Sequence, residues 1–244
     1  MIYNGDCLEI MPTLADKSVD MILCDLPYGT TACKWDTVIP FEPLWTQYRR
    51  IAKRNAAIVL TASQPFTTAL IASNMREFKY CWVWDKVIGR GHLVAKKRPM
   101  AQHEDVAVFY QQAPRYSPQM VEKAKPQKGR KYAASATDVI SQSKFGGEVV
   151  ERTHSYPKTI LTFPPEGKTQ HPTQKPVALM EYLIRTYTNE GDTVLDNCAG
   201  SFTTAIACIN TNRKYICIEK DEKYFEIGKN RIANHQPLLQ AVNA

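Results

Sequence analysis

Three short apolar runs, each closing on one carboxylate, constrain the fold of this chain more than any other feature. Residues 19–24 (VDMILC) lead into Asp25, 193–195 (TVL) into Asp196 and 215–218 (YICI) into Glu219. Such runs, bounded by turn residues, suit strands buried on both faces. Helical patterns lie between them. Phe41, Leu44, Trp45, Tyr48, Ile51 and Ala52 fall at i, i+3, i+4, i+7, i+10 and i+11, one face of an amphipathic helix. Leu179, Met180, Leu183, Ile184 and Tyr187 form a second stripe, with Pro176 where a first helical residue would sit. Further strands are expected at 56–62, 79–84 and 105–110, and helices near 65–74 and through 203–209. No internal repeat or coiled-coil heptad is present. Strands alternating with helices imply parallel βαβ units and a doubly wound α/β sheet. Ligands bind such sheets beyond the carboxyl ends of the strands, so Asp25, Asp196 and Glu219 are the first candidate functional residues.

Composition bounds the rest. The chain has 244 residues, enough for one large domain or one domain carrying an insertion, and 44% hydrophobic against 23% charged residues fits a soluble globular protein. The net charge of +7 is unevenly spread. Residues 86–175 hold 16 Lys/Arg against 7 Asp/Glu, whereas the remaining 154 residues hold 15 against 17. Within this basic middle, 112–168 is rich in Gly, Pro, Ser and Gln and shows no sustained periodicity. Two readings stay open on composition: a solvated insertion, or a phosphate-tracking surface in which Lys and Arg interleave with Tyr, Trp and His. Seven cysteines include no C-x-x-C pair, which argues against a zinc ribbon and a secreted disulfide framework. His154, His171 and His235 have no partners at metal-ligand spacing, so no metal site is expected. The opening residues MIYNGDCLEI contain neither a basic leader nor an apolar core, and no run approaches the roughly 20 apolar residues of a membrane span. No membrane association is expected, and a cytoplasmic home is.

Residues 193–201 read as strand, acid, small-residue turn, then helix. Gly200 lets backbone approach a ligand, and a helix amino terminus favours polar or anionic groups. Glu219 follows Asp196 by 23 residues, near the ~20-residue spacing at which a carboxylate meets a ribose hydroxyl in dinucleotide folds. Both acids could equally be helix caps. The absence of G-x-G-x-x-G disfavours a nicotinamide cofactor, and the absence of G-x-x-x-x-G-K-[ST] excludes a P-loop. Asp25-Leu26-Pro27-Tyr28 brings a carboxylate, a backbone carbonyl and an aromatic ring together at a strand end, on a turn stiffened by proline. The plainer alternative is an Asp-x-Pro turn with a packed tyrosine.

Together these features resemble the amino-methylating DNA methyltransferases that use S-adenosylmethionine, whose signature is [DNS]-P-P-[YFW]. The order of catalytic turn, basic insert and cofactor turn resembles the permuted beta class of that family. The resemblance implies a doubly wound, mostly parallel Rossmann-like methyltransferase sheet, permuted, in a single domain over 1–244 with a target-recognition insertion at 112–168. Asp25, Leu26, Pro27 and Tyr28 would be catalytic. Asn4-Gly5-Asp6-Cys7-Leu8 matches the segment whose aspartate faces the cofactor's adenine in the family, which assigns Asp6 and Cys7 to cofactor binding. His171-Pro-Thr-Gln-Lys175-Pro176 matches the segment leading to the cofactor strand and adds Lys175. The family turn L-D-x-F-x-G-[ST] adds Asp196, Cys198, Gly200 and Ser201 near the methionine end, and Glu219 falls at the ribose-binding acid. Residues 98–104 (RPMAQHE) resemble a segment lining the base pocket.

Two departures stand out. Leu26 replaces the first proline of the motif, keeping the main-chain carbonyl but losing rigidity. Phe202 replaces a second glycine, so its ring must point away from the ligand or narrow the pocket. Asp at the first motif position implies adenine N6 in double-stranded DNA as the target, extruded from the duplex. Lys34, Arg90, His92, Lys96, Lys97 and Arg98 are candidate phosphate or base-pocket contacts. Trp82 and Trp84 suit sheet packing better than base stacking, while Trp35 is an even choice. Rival readings are cytosine N4 or another planar amine as target, or a non-catalytic nucleic-acid-binding module, which Phe202 favours. A homodimer and a cognate restriction endonuclease remain open as partners.

Overall fold

The computed structural model describes residues 1–31, 33, 36–128, 151–167 and 174–236. Eight strands form one sheet: β1 (Ile2–Asn4), β2 (Val19–Asp25), β3 (Ala52–Ala62), β4 (Phe78–Arg90), β5 (Ala101–Phe109), β8 (Ile160–Thr162), β9 (Thr193–Asp196) and β10 (Lys214–Glu219). Their order is β1-β10-β9-β2-β3-β5-β4-β8, parallel throughout except at β5, which runs antiparallel to both its neighbours. The expected doubly wound, mostly parallel sheet is therefore present. Its permutation shows in β9, late in the chain, pairing with β2, early in it (Ile22 opposite Leu195).

Helices cover both faces, and the two-residue alternation of the strands divides the core between them. From β2, Ile22 and Cys24 pack with Leu44, Trp45, Tyr48 and Leu70 of α2 (Phe41–Ile51) and α3 (Phe66–Ser73), beside the short α1 (Cys7–Ile10). Met21 and Leu23 point the other way, into Leu179, Leu183, Ile184 and Cys208 of α4 (Val177–Tyr187) and α5 (Thr203–Asn210). All of these side chains are buried, each worth on the order of 1.5–3 kcal/mol of transfer free energy for a large aliphatic or aromatic group. A smaller cluster forms where Phe225 and Ile232 of α6 (Glu222–Ala233) meet Phe202 and Cys217. Trp82 and Trp84 are core residues as expected, and each indole N–H has an acceptor, Tyr187 Oη at 2.7 Å and the Phe163 carbonyl at 2.8 Å.

Sequence patterning did not anticipate β1, β8 or α6, and β4 runs six residues past Trp84, held by its pairing with β5 and β8. Residues 118–158 form a separate compact unit. Within it β6 (Val121–Lys128) and β7 (Glu151–Ser155) pair antiparallel, with Glu122 opposite His154 and Gln127 opposite Arg152. Among the described residues no helix is long and apolar enough to cross a membrane.

Candidate active site

The sheet brings the three strand-end carboxylates to one edge. Asn4 of β1 lies opposite Glu219 of β10, Asp196 of β9 opposite Cys217, and Asp25 of β2 opposite Thr61 of β3. Strand order reverses between β9 and β2, and a crevice opens at that point in such sheets. Here it is a cleft of ≈ 960 Å³, lined by Asp25 to Tyr28 on one side and by Asp6, Cys7, Asp196 to Ser201 and Glu219 on the other. Its size lies at the upper end for small-ligand sites of ~300–1,000 Å³.

In the second group, Glu219 is a structural acceptor for two loops at once. Its Oε2 takes the Gly200 N–H at 2.7 Å and its Oε1 the Asp221 N–H at 2.8 Å, while burial holds its pKa above the usual glutamate range. Each oxygen keeps a lone pair for a further donor. Asp6 caps α1 through the Leu8 N–H at 2.8 Å and pairs with Lys220 Nζ at 3.0 Å. Burial opposes ionisation of Asp6, but those two contacts outweigh it and its pKa is lowered. Asp196 is buried among the Thr204 hydroxyl at 2.6 Å and the Cys198 N–H at 3.2 Å, and burial lifts its pKa to about 6. It fixes the turn from inside. Arg231 of α6, which sequence reasoning missed, clamps that turn from outside by donating to the Ser201 carbonyl at 3.1 Å and Thr203 Oγ1 at 2.9 Å.

Phe202 resolves one of the two departures. Its backbone is left-handed (φ 60°, ψ 39°), a conformation that favours glycine. The ring is wholly buried and turned toward α6, where a Cβ added at Gly228 would come within 2.5 Å of its Cγ. It therefore points away from the cleft and does not line it. The feature that favoured a non-catalytic module loses its force. Carboxylates at strand ends, a close-approach turn at Gly200 and a helix amino terminus form a donor set that fits a nucleoside bearing an amino-acid tail. Asp6 and Glu219 would meet its base and ribose, and the turn through Cys198, Gly200 and Ser201 its amino-acid end.

The first group centres on Asp25. Its Oδ1 accepts from Tyr28 Oη at 2.8 Å and from the Thr61 hydroxyl, and its Oδ2 lies 2.5 Å from Lys175 Nζ. The sequence set Lys175 with the cofactor residues, yet its ammonium is directed at the candidate catalytic carboxylate. Leu26 is buried in the core, so its side chain anchors the turn that the missing proline would have stiffened. Tyr28 stacks on Phe66 with centroids 5.2 Å apart at 24°, and burial raises its pKa well above the usual tyrosine value. Beyond it, Asp36 gathers the N–H groups of Gly29, Thr30 and Thr31 at 2.7–2.9 Å. Burial opposes ionisation there, but these donors overcome it and hold Asp36 below the usual aspartate range.

The antiparallel direction of β5 has a consequence here: it turns the start of that strand, not its end, toward the cleft. Glu104 thus faces Tyr28 Oη at 3.3 Å, Lys175 Nζ at 3.5 Å and Lys86 Nζ at 3.0 Å. Gln174 ties the two halves, since Ser201 Oγ donates to it at 2.8 Å and its neighbour Lys175 meets Asp25.

Of the expected nucleic-acid contacts, Arg90 lines the cleft, whereas His92, Lys96, Lys97 and Arg98 are exposed on the excursion between β4 and β5. Exposed Val87, Ile88 and Leu93 stand among these cations. Lys34, Trp35 and His171 lie outside the described residues.

A family model described as DNA methylase matches residues 19–230. The chain is 28% identical over 254 residues to the DNA adenine methyltransferase YhdJ of Escherichia coli, covering 96% of this chain and 83% of that protein. It is 25% identical to the type II methyltransferase M.HpaI of Haemophilus parainfluenzae, covering 93% and 72%. Among solved structures, the M1.HpyAVI–SAM complex superposes with a TM-score of 0.63 at 25% identity, covering 95% of this chain and 98% of that one. The cytosine-N4-specific PvuII DNA methyltransferase shares the fold, with a TM-score of 0.69 at 15% identity, covering 96% and 87%.

Proposed function

This chain belongs to the family of DNA methylases, and on that premise we propose that it methylates the N6 amino group of adenine in double-stranded DNA. It is an amino-methylating DNA methyltransferase that uses S-adenosylmethionine. One observation carries the reading of methyl transfer to an amine: the Asp25–Tyr28 turn and the Asp196–Ser201 turn open into the same cleft. Adenine is favoured over cytosine by aspartate at the first motif position and by the relative named as an adenine methyltransferase. The cytosine-N4 structure contributes the fold alone.

S-adenosylmethionine supplies an electrophilic methyl group on a sulfonium. The protein's part is positioning and preorganised electrostatics. The exocyclic amine of adenine is a poor nucleophile because its lone pair is delocalised into the ring. Asp25 and the Leu26 carbonyl accept its two N–H bonds, draw the nitrogen toward tetrahedral geometry and free the lone pair. Tyr28, braced from behind by Phe66, offers the base a stacking face. Asp6, Cys7, Cys198, Gly200, Ser201 and Glu219 hold the cofactor, with Asp196 shaping their turn. A target inside a duplex is out of reach, so the base is extruded at a cost of a few kcal/mol. Phosphate contacts from Arg90, His92, Lys96, Lys97 and Arg98, and from the basic segment 112–168, offset that cost.

The test is transfer of tritiated methyl from S-adenosylmethionine to unmethylated genomic DNA, followed by nucleoside chromatography. Label in N6-methyladenosine is expected. Label in N4-methylcytidine would overturn the target base, and unlabelled DNA the whole reading. Sequencing of modified bases in cells expressing the protein then gives the recognition site.

A further inference from the structure

Lys175 is in an unexpected place for a residue beside a site built to accept hydrogen bonds from an amine. Its side chain is only 6% exposed, its Nζ lies 2.5 Å from Asp25 Oδ2, and it sits 5.7 Å from the centre of the Tyr28 ring. An amine donating to Asp25 above Tyr28 is what the bound base would present there. We propose that Lys175 is a placeholder for the substrate amine, and that Glu104 is the positioning residue that receives its ammonium when the base enters.

The proposal rests on the amino-methylating reading of Asp25 and extends it. Four charges share the site: the carboxylates of Asp25 and Glu104 and the ammoniums of Lys175 and Lys86. Glu104 already holds Lys86 on Oε1 at 3.0 Å, and Lys175 stands 3.5 Å from its Oε2. A shift of Lys175 toward Glu104 would give each oxygen of that carboxylate one cation. The sum of charges would not change, and Asp25, whose side chain is 21% exposed, would keep the Tyr28 and Thr61 hydroxyls as donors while it gives up its cation. Burial disfavours the charged forms of Lys175 and Glu104, yet their ion partners more than compensate, so both are charged in the arrangement with Lys175 on Asp25.

The exchange serves the chemistry. While Lys175 is paired with Asp25, that carboxylate is a poor acceptor for a neutral amine. Once Lys175 has moved, Asp25 faces the amine with its full charge. As the N–C bond forms and the C–S bond breaks, positive charge passes to the amine nitrogen, and the proton it then sheds has Asp25 as its nearest acceptor. Before the base arrives, the lysine keeps the half-buried Asp25 carboxylate compensated.

Steady-state kinetics on the intact protein, with unmethylated genomic DNA and tritiated S-adenosylmethionine, test the exchange through a double-mutant cycle. Glu104→Gln removes the receiving carboxylate and holds Lys175 on Asp25. KM for DNA should rise about tenfold, ~1.4 kcal/mol, with kcat changed by less than about threefold. Lys175→Met removes the competitor, so in that background Glu104→Gln should leave KM unchanged within about twofold. Lys86→Met leaves Glu104 freer to take Lys175, and KM should fall. This variant serves if Glu104→Gln does not fold. Penalties that simply add in the double variant would overturn the proposal, because Glu104 would then act on the base itself. Loss of calorimetric affinity for S-adenosylmethionine in Lys175→Met would also overturn it, returning the lysine to the cofactor. If the wild-type protein labels no DNA, the underlying reading fails instead, so the two failures are distinguishable.

Discussion

Phe202→Gly, which removes the ring and suits the left-handed backbone at this position, separates the packing role of this side chain from the cofactor site. The ring is wholly buried against Gly228 and Phe225, and truncating such a side chain costs about 3–5 kcal/mol. Relief of the left-handed backbone returns ~1–2 kcal/mol, and the greater freedom of glycine in the unfolded chain takes back ~0.5–1 kcal/mol. The net loss is roughly 2–4 kcal/mol, which in a chain of this size lowers Tm by about 5–15 °C. The cofactor should still bind within about threefold of wild type, ~0.7 kcal/mol, because the ring does not line the cleft. Thermal unfolding followed by circular dichroism, with and without S-adenosylmethionine, measures the first effect, and titration calorimetry the second. Ligand stabilisation depends only on concentration relative to Kd, so saturating cofactor should stabilise both proteins by the same free energy. An unchanged Tm together with tenfold tighter binding would refute the reasoning, since it would mean that the ring obstructs the pocket and packs against nothing.

Gly29→Ala should reduce methylation and destabilise by about 1–2 kcal/mol in urea titrations, because Gly29 has φ +67° and a Cβ there would come 2.8 Å from Val38 Cγ2. For Glu219→Ala, calorimetric affinity for S-adenosylmethionine should fall at least tenfold, since two loop amides lose their acceptor along with any contact to the ribose. The Asp196 carboxyl holds its proton to about pH 6 against an ordinary 3.8, so between those values the folded protein binds more protons than the unfolded chain. Its contribution is full below pH 3.8 and is lost as pH rises to about 6. The stability of Asp196→Asn relative to wild type, from urea titrations at pH 4 and pH 7, should therefore improve by roughly 2 kcal/mol between those two pH values.

The strands and helices that build the sheet were legible because each carries a local pattern. Residues 19–24 are apolar on both faces of a strand, and the Leu44–Tyr48–Ile51 stripe has helical spacing. Strand direction has no such signature. Residues 105–110 read as a strand, yet only pairing with β3 and β4 makes it antiparallel and turns Glu104 toward Tyr28 and Lys175. Ile2–Asn4 is too short to announce itself and exists as a strand through its partner β10. The strand-end acids stood out at once because a carboxylate closing an apolar run is conspicuous. Asp36, Lys86 and Arg231 did not, because a single charge in a polar stretch reads as surface until a distant turn supplies its partners. Lys175 illustrates the limit. Its motif marked it as part of the site, but its ion pair with a residue 150 positions away comes from the tertiary fold.

Asp25→Ala, assayed on one preparation for tritiated methyl transfer to DNA and for calorimetric binding of S-adenosylmethionine, tests most directly that one cleft activates an amine beside the cofactor. Methylation should fall by at least about a thousandfold, ~4 kcal/mol, while cofactor affinity stays within about threefold of wild type. Near-full turnover in the variant, or loss of both activities together, would contradict the role given to this carboxylate.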